Sequence, residues 1–400
     1  MKIVVHDYSG HAFPIQLSRA LAARGHTVRH IYSASFQTPK GALAPRPDDA
    51  PGFAFRPLDL GRPFAKYDLV RRAFQERAYG RLLAKAIVAE SPDVVICGNA
   101  PLDPQAIALA ACRKHRLPFV YWQQDIYGIA IDRILRRKLP VVGALIAAHY
   151  LRLERRLQRE SDRVVTISDD FRPILEGWGV APARIEVVEN WAPLDDLPLR
   201  PRDNAWAREH GLADKRVFLY SGTLGLKHNP GLLLALAKRF ADRPDVRLVV
   251  VSEGLGADWL RERQAEAPNL VLLPYQPFER LADVVASADV LVAILEPDAG
   301  VFSVPSKVLT YLCAGKPILA AIPLANLASR IVTRTGAGRV AEPNDDAGFL
   351  AAADSLASDA GLRARMGAAA RVYAESHFAI GPIADRFEAM AKALAGGDRH

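Results

Sequence analysis

Short runs of aliphatic and β-branched residues recur along this chain, and helix-length segments separate most of them. "KIVVH" (2–6) is the first, and "HTVRHIYS" (26–33), "PDVVICG" (92–98), "LPFVYWQQD" (117–125), "DRVVTIS" (162–168) and "ARIEVVEN" (183–190) follow. Runs that are apolar without alternation belong to strands covered on both faces, hence to parallel sheets flanked by helices. Between the first two, "PIQLSRALAARG" (14–25) puts Leu17, Ala20 and Leu21 on one helical face. Pro14 suits a first helical turn and Gly25 a helix stop. This strand–helix–strand unit predicts a right-handed crossover.

A second series repeats the pattern. "KRVFLYSG" (215–222), "VRLVVVSEG" (246–254), "NLVLLPY" (269–275) and "DVLVAIL" (289–295) read as strands, with helices at 229–242 and 277–288. Four hundred residues exceed what one hydrophobic core serves. The proline- and charge-rich stretch 191–211 parts the two series. We place a first Rossmann-like domain at 1–194, a linker at 195–212 and a second domain at 213–374. A final helix, 375–400, is expected to pack back on the first domain. The fold class is α/β, with parallel sheets in two domains and an interdomain cleft at the strands' carboxyl ends, where such folds bind ligands.

The excess of 52 Lys and Arg over 44 Asp and Glu, +8 in net charge, implies an anionic partner. It is unevenly spread. Arg133, Arg136, Arg137, Lys138, Arg152, Arg155, Arg156 and Arg159 stand against Glu154 alone. Inside that block, "LPVVGALIAAHYL" (139–151) is shorter than the roughly 20 apolar residues a bilayer span needs. A second basic run with interleaved apolar residues covers 70–85. Segments 70–85 and 133–159 therefore read either as contacts with an anionic membrane surface or as solvated helix faces. Cys97, Cys112 and Cys313 are odd in number and lack CxxC spacing, which fits a reducing cytoplasm without disulfides. "MKIVVHDYSG" is not a signal peptide, so the expected location is cytoplasmic, peripheral at the inner membrane face.

Two loops of the second series carry the chemistry. "SVPSKVLTYLCAGKPILA" (303–320) follows the strand 289–295, so Pro305, Ser306 and Lys307 fall at a sheet's carboxyl end and a helix start. Free amides there attract a phosphate and Lys307 adds a full charge; the plain alternative is a capping Ser306 and a solvated Lys307. "YSGTLGLKHNPG" (220–231) sets Gly222, Gly225 and Lys227 between a strand and a helix, and glycines let a backbone approach a phosphate closely. The loop lacks the GxxxxGK[ST] spacing, which excludes a P-loop. No GxGxxG follows strand 2–6, which disfavours a dehydrogenase. Two cationic turns at one sheet edge point to a diphosphate held from two sides.

These pieces, in order, resemble the retaining nucleotide-sugar glycosyltransferases of family 4, with the GT-B fold of two facing Rossmann-like domains. "SGHAFPIQLSRALAARGHTV", "DRVVTISDDFRPILEGWGVAPARIEVVENW", "YSGTLGLKHNPG", "VVVSEG" and "SVPSKVLTYLCAGKPILA" carry the resemblance across nearly the whole chain. The "PSK" variant, "NW" at 190–191 and "QQD" at 123–125 resemble the colanic-acid, exopolysaccharide subgroup. The family's two glutamates are replaced by Phe302 and Thr310, and its early arginine by Thr223. The resemblance implies transfer with retention from a UDP- or GDP-type sugar nucleotide to a saccharide or lipid-linked acceptor. The leaving diphosphate would be stabilised by Lys227, Lys307 and the amides near Ser306 and Gly10, with no metal or other cofactor. Ser221, Gly222, Thr223, Glu253, Gly254, Tyr275, Gln276, Pro305, Ser306 and Thr310 are the expected donor-binding residues, the wall of the base pocket among them. On the acceptor side His11 and Asp125 sit in loops at strand ends; each is either an acid–base group or a helix cap. Two other readings remain: a nucleotide-sugar 2-epimerase of the same architecture, and a non-catalytic sugar-nucleotide sensor. Nucleic-acid binding would account for the charge but not for the two loops.

Overall fold

The computed structural model describes residues 1–36, 40–65, 68–138, 140–225, 228–300 and 302–397. The chain divides into two compact units, Met1–Asn190 with Ile380–His400, and Trp191–Ala379.

Unit 1 alternates strands and helices. In order come β1 (Lys2–Asp7), α1 (Ala12–Ala23), β2 (Thr27–Ser33), β3 (Phe53–Leu58), α2 (Leu69–Glu90) and β4 (Val94–Gly98). Then follow α3 (Leu102–Lys114), β5 (Phe119–Trp122), α4 (Tyr127–Lys138), α5 (Pro140–Glu160), β6 (Arg163–Thr166), α6 (Arg172–Gly177) and β7 (Ile185–Val187). The strands lie in the order β3-β2-β1-β4-β5-β6-β7, and all the pairings among the described residues are parallel. Doubly wound order follows from strands too apolar to leave either face wet. On one face Val4, Val95, Tyr121 and Val164 pack with Tyr79 and Leu83 of α2, Leu109 of α3 and Leu157 of α5. On the other face Trp122 meets Phe13 of α1 edge-on at 5.5 Å between ring centroids.

Unit 2 contains α7 (Ala205–Glu209), β8 (Arg216–Ser221), α8 (Pro230–Arg239), β9 (Val246–Val251), α9 (Leu255–Arg261), β10 (Leu270–Leu273) and α10 (Leu281–Ala286). It continues with β11 (Val290–Ile294), α11 (Lys307–Cys313), β12 (Ile318–Ala321), α12 (Leu327–Thr335), β13 (Gly338–Ala341), α13 (Asp346–Ser358) and α14 (Ala360–His377). Its sheet runs β10-β9-β8-β11-β12-β13, again parallel. Phe218, Leu248, Val250 and Val292 form its core with Leu233 and Leu236 of α8 and Phe349 of α13. The stretch 191–211 is packed within this unit, with Trp191 and Trp206 buried.

The last helix, α15 (Ile380–Ala395), belongs to unit 1. Its Phe387 lies 4.9 Å from the Trp122 ring, and Glu388 accepts from Arg24 at 2.8 Å and pairs with His26 at 3.1 Å.

Candidate active site

The carboxyl edge of unit 2's sheet gathers most of the expected donor residues. β8 ends at Ser221, and Gly222 turns the chain at φ +128°, a conformation that side-chain-bearing residues rarely adopt. A Cβ at Gly222 would stand 3.4 Å from Cε of Lys307, so the lysine stem runs directly over the turn. Lys307 opens α11, and its Nζ donates to the Tyr220 hydroxyl at 2.7 Å. The same Nζ lies 4.3 Å from the centroid of the Tyr220 ring, a cation–π geometry. Burial pushes the Tyr220 phenol well above its ordinary pKa, so it stays neutral and donates to the Thr223 carbonyl at 2.9 Å. α11 is fixed to the strand end by Tyr311, whose hydroxyl accepts from Ser221 N–H at 2.9 Å and donates to the Ser221 carbonyl at 3.2 Å.

His228 completes this edge. Its Nδ1 accepts the Gly225 N–H at 3.2 Å. An imidazole whose Nδ1 accepts must carry its proton on Nε2. That Nε2 lies 3.4 Å from Lys307 Nζ. Two donors cannot hydrogen-bond each other, but one anionic oxygen set against both accepts from each. Sequence reading overlooked this histidine. Its position just ahead of the cap Asn229 was visible there; its tautomer, set by a backbone contact, was not.

The other donor-side residues lie around this pair. Thr223 Oγ1 and Tyr275 Oη are 2.6 Å apart, joining the turn after β8 to the loop after β10. Glu253 is exposed at the end of β9, and its carbonyl accepts Leu224 N–H at 3.4 Å. Gly254, at φ +105°, precedes α9. Gln276 is committed elsewhere: its side-chain carbonyl accepts Trp206 Nε1 at 3.0 Å and its amide donates to the Pro274 carbonyl at 3.1 Å. Pro305 is buried and Ser306 exposed, and the Ser306 side chain makes no capping bond to α11. Thr310 is half-buried, one helical turn beyond Lys307, while Phe302 is buried. Lys227 lies outside the described residues.

The carboxyl edge of unit 1 is built differently. Gly10, at φ +73°, closes the turn after β1. Asp7, buried, accepts from His11 N–H and from Asn99 Nδ2, the latter at 2.8 Å. Burial pushes the Asp7 carboxyl up, but the charge and hydrogen bonds of His11, together with His30, outweigh it and hold the pKa below the usual value. The His11 ring sits 3.7 Å from the same carboxylate. Asp125, half-buried, stands in the loop between β5 and α4. The first amides of α4 are satisfied by another residue. Glu154, reaching across from α5, accepts Tyr127 N–H at 3.1 Å and Gly128 N–H at 2.6 Å. Burial raises the Glu154 carboxyl to about 8 even against those two donors. A Cβ at Gly128 would come within 2.8 Å of the carboxylate, so glycine is what permits the contact.

Glu154 marks the base of an antiparallel hairpin. Gly128 of α4 faces Leu151 and Glu154 of α5, and Gly143 faces Leu135. From Gly128 to its end at Lys138, α4 runs about 15 Å, at 1.5 Å per residue. The first turns of α5 expose Val141 (77%) and Leu145 (71%), and the start of α2 exposes Val70 and Phe74. Further along α5, Arg152, Arg155, Arg156 and Arg159, with Trp178 at the end of α6, line an open groove of about 610 Å³.

Comparison with known proteins bears on both units. Residues 15–191 match the family described as glycosyl transferase 4-like domain, and residues 203–373 match glycosyl transferases group 1. The "Probable glycosyltransferase WbjE" of Pseudomonas aeruginosa is 26% identical over 200 residues, covering 49% of this chain and 50% of that protein. The chain thus spans about half the length of this relative. D-inositol 3-phosphate glycosyltransferase of Nocardiopsis dassonvillei is 26% identical over 77% of this chain and 72% of its own length. Among solved structures, Anabaena Alr3699/HepE in complex with UDP-glucose superposes with a TM-score of 0.71 at 16% identity, covering 98% of this chain and 100% of that one. WaaG, a glycosyltransferase involved in lipopolysaccharide biosynthesis, superposes with a TM-score of 0.68 at 16% identity, covering 96% and 99%. These two likenesses establish the GT-B fold.

Proposed function

We propose a function from one premise: this chain belongs to the family 4 glycosyltransferases, and is an enzyme that transfers glycosyl groups. In our reading it takes a sugar from a nucleoside-diphosphate donor and passes it, with retention, to a saccharide or lipid-linked acceptor in surface-glycan or exopolysaccharide assembly. The bond from the anomeric carbon to the diphosphate breaks, and the diphosphate keeps the electron pair. The acceptor oxygen bonds that carbon, and its proton passes to a donor phosphate oxygen. The observation that carries the proposal is the paired donor set of Lys307 Nζ and His228 Nε2–H, 3.4 Å apart at the sheet edge. Charge grows on the leaving diphosphate, and preorganised donors there lower the barrier. Lys227 is assigned to the same task, and the lysines supply the positive charge without a metal. HepE's structure with UDP-glucose supports a uridine donor. The test is incubation of the purified chain with UDP-glucose and GDP-mannose in buffer containing EDTA. Slow release of UDP or GDP by transfer to water supports the reading. No binding and no release of either nucleotide refutes it.

The α4–α5 hairpin supports a second element of the proposal, peripheral docking on an anionic membrane. Val141, Val142, Leu145 and Ile146 are exposed at the start of α5, and Arg152, Arg155, Arg156 and Arg159 follow along the same helix. Among the described residues, no helix is long and apolar enough to cross a membrane. Sedimentation with phosphatidylglycerol vesicles should be salt-sensitive and weakened severalfold in Leu145→Asp. Equal sedimentation by the variant would contradict the docking proposal.

A further inference from the structure

The second half of α5 concentrates positive charge that nothing in unit 1 neutralises. Arg152, Arg155, Arg156 and Arg159 are spaced three and four residues apart, so each has two of the others as neighbours on the helix surface. Like charges at these spacings weaken a helix. All four are exposed. Among the described residues no ion pair joins any of them to a carboxylate, the exposed Glu176 of α6 included. The nearby acids of α5 are engaged elsewhere: Glu160 pairs with Arg113 at 3.0 Å, and Glu154 is buried against the start of α4.

These arginines border a concavity. With His149 and Trp178 they line the open groove of about 610 Å³, and among the described residues that line it none carries a carboxylate. The Arg155 guanidinium lies 5.4 Å from the centroid of the Trp178 ring, a cation–π contact that fixes its position. Gly179 turns the chain at φ +86°, and a Cβ there would stand 3.3 Å from Cδ of Arg159, so the backbone leaving α6 supports that stem. Arg184 ties down the end of α5, its Nη1 donating to the Arg159 carbonyl at 3.0 Å and the Ser161 carbonyl at 3.2 Å. The groove thus runs toward the amino end of β6, away from the strand ends where transfer is placed.

The charge density selects the ligand. From Arg152 to Arg159 the helix rises about 10 Å, so four guanidinium groups face one small volume. A monoanion balances one of them. Guanidinium forks match phosphate oxygens two at a time, and a chain of two or three phosphates carries enough oxygens for the whole set. A bilayer is flat and presents its charges one headgroup at a time, whereas a concave site suits a small molecule that enters it. We infer that this groove binds a soluble polyphosphate or pyrophosphate ester, at a site separate from the donor diphosphate site of unit 2. The site does not depend on the membrane reading above. Where that reading holds, occupancy of the groove competes with docking, because the same arginines serve both.

Calorimetric titration of inorganic tripolyphosphate into the full chain, with excess UDP present to fill the donor site, tests this. One tripolyphosphate should bind per chain at physiological ionic strength. In Arg152→Gln combined with Arg156→Gln its affinity should fall about 100-fold, the loss of two charge-assisted contacts of about tenfold each. Arg81→Gln combined with Lys85→Gln, at exposed positions of α2, removes the same charge and should leave the affinity at the wild-type value. Glutamine is a good helix former, and thermal midpoints in both double variants should hold. The titration in Lys307→Ala should match wild type, which keeps the result separate from the donor reading. Indole emission should shift on binding, and the shift should vanish in Trp178→Phe. Tripolyphosphate that fails to bind, or that binds both double variants equally weakly, overturns the groove as a site. So does binding to phosphatidic acid vesicles that requires Arg152 and Arg156 yet persists in excess tripolyphosphate, which would assign the groove to a lipid headgroup.

Discussion

At the carboxyl edge of unit 2's sheet an ammonium and an imidazole N–H stand 3.4 Å apart, whereas the matching edge of unit 1 carries the Asp7 carboxylate, a Glu154 carboxyl raised to about 8 and neutral amides. Both edges arise from the same architecture, parallel strands whose ends present loops and helix starts. The difference lies in what each must stabilise. Positive charge in unit 2 suits a leaving group that becomes more negative during reaction. Neutral amides in unit 1 suit hydroxyls that stay uncharged until transfer. Under the proposed function, a fold of two similar units divides recognition by chemistry.

The sharpest way to break this contrast is to remove the charge. Lys307→Ala should lower turnover by roughly 10²-fold or more and leave acceptor KM unchanged, and Lys227→Ala should match it. A wild-type rate in both would erase the contrast. A smaller effect is expected from His228→Phe, which keeps the aromatic packing against Tyr220 but loses Nε2–H. Donor KM should rise about tenfold, read from initial rates, the loss of one charge-assisted bond.

The smallest effect concerns unit 1 and pH. The Glu154 carboxyl has an ordinary value of 4.5 and is raised to about 8 in the folded chain. The folded state therefore holds a proton that the unfolded state releases, and stability falls as pH rises from about 4.5 to 8. A ¹³C-labelled Glu154 carboxyl should titrate with a midpoint near 8. Glu154→Gln should flatten the pH dependence of the thermal midpoint. It should also cost about 1–3 kcal/mol, because an amide NH₂ then faces a backbone N–H. A midpoint near 4.5 would remove Glu154 from this role.

Central strands were legible in the sequence because burial on both faces writes an unbroken apolar run: β1, β4, β8, β9 and β11 are of this kind. The edge strands β3 and β13 were not, although β7 and β10, also at sheet edges, were. β3, "FAFRPL", is half-exposed and contains Pro57, which an edge tolerates and a central strand does not. β13, "GRVA", is four residues long with Arg339 exposed. The run 139–151 was visible as apolar with basic flanks. That Pro140 would open a second helix antiparallel to α4 depended on Gly128, Gly143 and Glu154, contacts distant in sequence. On the donor side, Lys307 and Gly222 were legible from their place after strands. Tyr220 and Tyr311, whose hydroxyls hold the site together, read only as strand and helix core residues. Gln123 and Thr166 looked like ordinary strand-end polar residues, since burial without a partner appears only in three dimensions.

The most direct measurement is calorimetric titration of UDP into wild type and Lys307→Ala. The account predicts binding in wild type and affinity at least about tenfold weaker in the variant, the worth of one ammonium–phosphate contact. Equal UDP affinities in the two proteins would contradict it.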